Sequence, residues 1–179
     1  MRYRRDYTQG ATYFFTVITF QRTPWFAQAA AVKALRHAVR AEMARHPFII
    51  DAIVIMPDHL HAIWTLPDTD TNYSTRWRNI KRAFTATIPP EQRPTAISSR
   101  LHKQEQAIWQ RRFWEHRIRD DQDFRHHVDY IHFNPVHHHY VHRATDWPYS
   151  SIHRYIRQGT LPADWGSATI QLPDGIGHE

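Results

Sequence analysis

The chain has 179 residues and a net charge of +6, with 23 basic against 17 acidic residues, and is long enough for one domain with a proper core. It contains no cysteine, which excludes disulfides and thiolate zinc sites and leaves the fold to packing alone. All but three of the basic residues are arginine, accompanied by seven Trp, eight Tyr and nine Phe. Guanidinium groups grip phosphate bidentately and stack on bases, so this mixture points to nucleic acid; the plainer reading is core aromatics and solvated arginines.

Residues 1–10 read as a basic arm ending at the turn residue Gly10, with Arg4 and Arg5 either on a phosphate backbone or on a frayed terminus. Residues 1–6 carry no apolar signal-type segment, and no run in the chain approaches membrane-spanning length; a cytoplasmic protein is expected. Residues 11–20 (ATYFFTVITF) are aromatic and β-branched, a strand. After Pro24, residues 26–45 read as a helix with Val32, Leu35, Val39 and Met43 in one apolar stripe. Residues 48–56 (FIIDAIVIM), almost wholly apolar, predict a central strand. Pro57-Asp58 turns the chain, and residues 59–66 return as the next strand.

A second helix is predicted over 73–88, capped by Asn72 or Ser74. Its cations Arg76, Arg78, Lys81 and Arg82 form either a phosphate-binding face or a solvated one. Residues 89–99 read as a loop, and residues 108–118 (IWQRRFWEHRI) as a strand or a turn followed by one. Asp120 and Asp121 begin a third helix with Phe124, Val128 and Ile131 as its stripe. Pro135 is expected to limit that helix by pushing Asn134 out of helical geometry. A short helix over about 147–158 and a tail over 167–179, expected to be flexible, complete a single domain spanning 1–166. The element order matches an α+β fold, an antiparallel sheet of four to five strands in the split β-α-β (ferredoxin/RRM-like) arrangement with helices packed on one face.

Two motifs carry chemistry. In Met56-Pro57-Asp58-His59-Leu60-His61, strand alternation puts His59 and His61 on one face and Leu60 on the other. Two imidazoles side by side are half of a divalent-metal site; equally, they are a polar pair on a half-solvated sheet. In Asp129-Tyr130-Ile131-His132-Phe133-Asn134-Pro135-Val136, helical spacing places Tyr130 and Asn134 on one face, with His127 and Asp123 along the same flank. That pair reads as a nucleophile beside an amide ligand, or as a core-capping hydroxyl beside a helix-ending residue.

Together the two motifs resemble the single-tyrosine HUH transposases, in particular the REP-associated tyrosine transposases. The resemblance runs from Tyr3-Arg4-Arg5 to Asp164-Trp165-Gly166. It includes Tyr13-Phe14-Phe15-Thr16, Ser74-Thr75-Arg76-Trp77, Ile108-Trp109-Gln110-Arg111-Arg112-Phe113-Trp114-Glu115-His116 and Asp146-Trp147-Pro148-Tyr149-Ser150-Ser151. One departure stands out. The family usually continues after Asn-Pro-Val with Lys-His-Gly, whereas this chain has His137-His138-His139, and losing the glycine removes easy access to positive φ, so a loop of altered shape or altered DNA contacts is expected.

The resemblance implies the HUH nuclease fold and a bacterial, nucleoid-associated enzyme that cleaves and rejoins single-stranded DNA at REP-type hairpins. It implies Mg²⁺ or Mn²⁺ held by His59, His61 and Asn134, and Tyr130 as the nucleophile of a 5′-phosphotyrosine intermediate. It further suggests a monomer rather than a dimer, with no membrane partner. Charge alone nominates Arg4, Arg5, Arg78, Lys81 and Arg82 as DNA contacts; Ser150 and Ser151 are candidates for a phosphate at a helix N-terminus. Two alternatives from other classes remain at this level: a hairpin-binding regulator that does not cut, and a metalloenzyme acting on small molecules.

Overall fold

The computed structural model describes residues 6–94, 106–166 and 176. Its frame follows from alternation along three strands. In β1 (Thr12–Ile18), Tyr13, Phe15 and Val17 enter one core while Phe14 enters another. In β3 (His59–Thr65), Leu60, Ala62 and Trp64 join the first core and Ile63 the second. With β2 (Ile49–Ile55) and β4 (Trp114–Arg117), these strands form a four-stranded sheet in the order β2-β3-β1-β4, antiparallel at every pairing. This is the strand order of the split β-α-β arrangement.

The helices cover both faces, not one. Helix α1 (Ala29–Arg45) and helix α2 (Tyr73–Ala86) pack together over the first core. There Trp64 stacks on Trp77 at 4.0 Å between ring centroids. Helix α3 (Asp121–His137) lies on the opposite face, burying Val128, Tyr130 and Ile131 against Phe14, Val54 and Ile63. Alternating large apolar residues on both sides of β1 require such a second layer.

β2 is an edge strand, contrary to the expectation of a central one. Its apolar character on both faces comes from being sandwiched between helix layers, and its outer edge is covered by the chain after Trp147. Ile55 N–H donates to the Tyr149 carbonyl at 2.9 Å and Ser151 N–H to the Ile53 carbonyl at 2.8 Å. Arg154 adds bonds from its guanidinium to the carbonyls of Ile50 and Asp51. A sheet edge protected in this way cannot template further pairing. The helix behind this strap, α4, is only Ile152–Arg157, shorter than expected because Trp147–Ser151 is spent on the edge.

Two boundaries carry over to the site. Asp120 caps α3 by accepting from Asp123 N–H at 2.8 Å, as the sequence suggests. Pro135, however, does not stop the helix, which continues to His137. A proline within the last turn forfeits one N–H bond near an end where partners are already few. Asn134 therefore stays helical, one turn from Tyr130. No helix among the described residues is long and apolar enough to cross a membrane.

His132, on the far side of α3 from that turn, is fully buried, its Nε2 2.9 Å from Ser151 Oγ and its ring against Tyr155. Burial, and then the positive neighbours Arg154 and His153, push its pKa down to about 3. The folded protein thus keeps His132 neutral at pH values where the unfolded chain protonates it. Stability from this group is complete above pH 6.5 and falls as the pH drops towards 3, by up to about 1.4 kcal/mol per unit. Urea unfolding of wild type and His132→Gln at pH 7.5 and pH 5 should show a smaller acid loss in the variant; equal losses would contradict it.

Candidate active site

The β2–β3 hairpin turns at Pro57-Asp58 and delivers His59 and His61 to the α3 side of the sheet. Their partners are chosen by register. Thr16 sits directly opposite His61 on β1, with its hydroxyl 3.0 Å from His61 Nδ1. Asp58 Oδ1 accepts from His59 Nδ1 at 2.6 Å, and Asp58 Oδ2 accepts from Arg22 at 3.1 Å. Arg22 reaches it from a backbone held at φ 52°, in the sparsely populated left-handed region. Burial alone would raise the Asp58 carboxyl, but the His59 hydrogen bond and charge, with Arg22, outweigh it and hold the group below the usual carboxylate range.

These anchors define the chemistry of the pair. An imidazole whose Nδ1–H is given to a carboxylate or hydroxyl presents its lone pair on Nε2. The two rings lie 4.9 Å apart between centroids, tilted at 72°, and both residues are buried.

Across from them, α3 presents residues at successive turns. The Tyr130 ring stands edge-on to His61 at 5.1 Å. The His138 ring, two turns on, stands edge-on to His59 at 5.4 Å. Asn134 lies between these two on the same helix flank and is fully buried. Two imidazole nitrogens and an amide oxygen make a donor set suited to a hard or borderline divalent cation. Tyr130, His59 and His61 are thus brought together, with Asn134 one helix turn from Tyr130. His138, Thr16 and Asp58 complete the setting; His138 comes near through the helix turn and Thr16 through strand pairing, so their motifs mark the residues but not their place beside the His pair.

The loop after α3 keeps its turn despite the missing glycine: His139 itself adopts φ 60°. Histidine is among the residues enriched in that region.

The nominated DNA contacts divide. Arg4 and Arg5 lie outside the described residues. Arg78 and Arg82 are exposed and line a cavity of about 760 Å³ with Arg93 and Arg111. Lys81 donates to the Gln110 carbonyl at 3.2 Å and sits 5.5 Å from the Trp109 and Phe113 rings. Arg76 is buried, bonded to the His46 and Pro47 carbonyls that end α1. Both serine hydroxyls are taken up internally: Ser151 Oγ accepts from Ile53 N–H at 2.9 Å, and Ser150 Oγ from Ile152 N–H at 3.2 Å.

A second ligand-type group lies near the same face. His116 on β4 and Asp123 and His127 on α3 bring one ligand atom each within 4.8 Å of one another.

A REP-associated tyrosine transposase of Escherichia coli is 43% identical over 173 residues, spanning 97% of this chain and 95% of that one. A relative of the same family from Haemophilus influenzae is 44% identical over 164 residues, 92% of each chain. This chain belongs to the REP-associated tyrosine transposases. The solved structure of a REP-associated tyrosine transposase bound to a REP hairpin matches the fold with a TM-score of 0.79 at 39% identity, covering 99% of each chain. No protein-family model matches the chain. It is therefore a member of a family of DNA-processing enzymes with the HUH fold.

Phe14 joins the parts of this candidate site. Its fully buried ring lies 5.4 Å from His61 and 6.0 Å from Tyr130. Phe14→Ala should lower unfolding free energy by about 3–5 kcal/mol, read by chemical denaturation; a loss below about 1 kcal/mol would show that α3 does not depend on this contact.

Proposed function

We propose that this protein is a divalent-metal-dependent transposase that binds REP-type DNA hairpins and cuts and rejoins single strands through Tyr130. The observation that carries the reading is the edge-on approach of the Tyr130 ring to His61, at 5.1 Å, from a helix turn that also carries Asn134. Nucleophile and ligand set then address one phosphate.

His59, His61 and Asn134 would hold Mg²⁺ or Mn²⁺, which supplies stabilisation of charge on the scissile phosphate and on the departing oxygen. The protein's part is orientation. Asp58 and Thr16 lock the two imidazoles so that both Nε2 atoms point away from the sheet. Phe14 and His61 fix the Tyr130 ring between them, so its hydroxyl swings little about the chain axis. Tyr130 Oη, having lost its proton, attacks the phosphorus; the P–Oη bond forms, the P–O3′ bond breaks, and the 3′ oxygen takes up a proton. The 5′ end stays on Tyr130 as a phosphodiester. One ester replaces another, so a second 3′-hydroxyl can reverse the step on a new strand without ATP.

Binding rests on different residues. The exposed Arg78 and Arg82, grouped with Arg93 and Arg111 around one cavity, offer forks to duplex phosphates of a hairpin. The hairpin carried by the structural neighbour, together with the arginine-rich composition, supports DNA as the substrate and argues against a small molecule.

With a labelled REP hairpin and Mn²⁺, Tyr130→Phe should form no covalent adduct, and a surviving adduct would remove Tyr130 from the nucleophile's role. His59→Ala should cut at least 100-fold more slowly while retaining most of the hairpin affinity in a gel shift. Lost affinity would instead make the metal a docking element.

A further inference from the structure

The group on the far side of Phe14 is built differently from a solvated charge cluster. Asp123 and His127 stand one turn apart on α3, and both are buried. His116 reaches them from β4, its Nε2 2.8 Å from Asp123 Oδ2. The His116 and His127 rings stack at 4.7 Å with only 14° between their planes. Two face-to-face imidazolium ions at that distance would repel, so at least one ring is neutral and carries a lone pair.

We propose that His116, Asp123 and His127 form a second divalent-metal site, for a borderline cation such as Zn²⁺, that ties the edge strand β4 to the helix carrying Tyr130.

Asp123 and His127 are already oriented by further hydrogen bonds, an arrangement common among metal ligands. His127 Nδ1 is 2.7 Å from the Asp123 carbonyl and 3.2 Å from Asp123 Oδ1, so its ring is held by the residue one turn before it. Asp123 Oδ2 accepts from the backbone N–H and from the Nε of Arg119, at 3.0 and 3.1 Å. Asp123 N–H is fixed by the Asp120 cap. Burial alone would raise the Asp123 carboxyl, but Arg119 and His116 hold it well below the usual range, so it is ionised across the working pH. Burial likewise pushes the His127 imidazole down and favours its neutral form.

Two imidazoles and one carboxylate are a common zinc donor set, with a water or substrate oxygen in the fourth position. Tetrahedral ligands at 2.0–2.2 Å lie roughly 3.3 Å from one another, so the present spread within 4.8 Å needs only a small inward rotation. The metal displaces the hydrogen bond between His116 Nε2 and Asp123, and the bound imidazole keeps its one N–H on Nδ1. His116 is partly exposed, with 24% of its side chain accessible, which provides entry.

The site is separate from the His59–His61 pair. The Phe14 ring stands between them, 4.8 Å from His127 and 5.4 Å from His61. It also has a mechanical reason to exist. β4 is a four-residue edge strand paired only with β1 among the described residues, and it is where the second layer has least sheet beneath it.

The test uses the full chain with His59→Ala and His61→Ala combined, which removes the other imidazole pair. Folding is checked by circular dichroism, zinc by equilibrium dialysis, and stability by thermal melting. One Zn²⁺ per chain is expected, with a melting temperature raised by several degrees, and both effects should disappear on adding His116→Ala. A folded double variant that binds no zinc, or whose zinc survives His116→Ala, overturns the proposal. Should the double variant not fold, wild type serves instead: two equivalents of zinc are expected, reduced to one in His116→Ala. A stoichiometry unchanged by His116→Ala again overturns it. Loss of the first equivalent alone would count against the His59–His61 site and leave this one standing.

Discussion

Phe14 is the contact on which the catalytic face depends. It points away from Tyr13 and Phe15 because a strand must alternate, and it meets four rings at once: His61, Trp114, His127 and Tyr130. Each such pair adds about 0.5–1.5 kcal/mol beyond burial when geometry is favourable. More important is that these contacts set the height of α3 above β3. Two residues further along the same face of β1, Thr16 orients His61. The positions of Tyr130 and His61 are therefore both referred to one strand, β1, which lies in the interior of the sheet and has neighbours on both sides. A site assembled from a helix and a hairpin acquires its precision from an element that contributes no reacting group.

Arginine serves two separate ends in this chain, and composition alone merges them. Arg76 and Arg154 are spent on backbone carbonyls, one closing the end of α1 and the other binding the edge of β2. Planar guanidinium with several donors suits both tasks. Arg78 and Arg82, on the same helix as Arg76, remain exposed. Three cations on one helix thus split by position around its axis, and only those away from the core can meet a phosphate. The inference from charge to nucleic acid holds for the protein as a whole and fails for individual residues unless the helix face is known.

Much of the fold was legible because its signals are periodic. Aromatic and β-branched content marked the strand over 11–20 and the Pro57-Asp58 turn that over 59–66, three-to-four spacing marked the helices, and the shared face of His59 and His61 followed from parity. What parity cannot show is order across the sheet. The apolar run 49–55 reads as central because both its faces are covered, yet its edge is protected by a segment nearly a hundred residues later in sequence. Thr16 as the partner of His61 depends in the same way on pairing between distant strands. Ser150 and Ser151 looked like a phosphate cradle from their place before a helix, but Ser151 is consumed in holding that distant edge. Pro135 misled for a different reason: its local rule is real, but the rule is weak in a helix's final turn.

The His137-His138-His139 sequence shows how a turn that favours glycine forms without one. A non-glycine residue in the left-handed region costs about 1–2 kcal/mol, and His139 at φ 60° bears that cost. The turn nevertheless forms because three backbone bonds close it: His138 N–H to Asn134 at 3.0 Å, His139 N–H to Val136 at 2.9 Å, and Tyr140 N–H to Pro135 at 3.0 Å. Each contributes roughly 0.5–1.5 kcal/mol, enough together to offset the strain. The consequence is positional. With the turn closed, His138 is held against His59, and Asn134 is held beneath it by the same hydrogen-bonded turn. Histidines in place of the family's usual lysine and glycine therefore set the polar character of the exposed end of α3, where His137 and His139 face solvent, while His138 stays against His59.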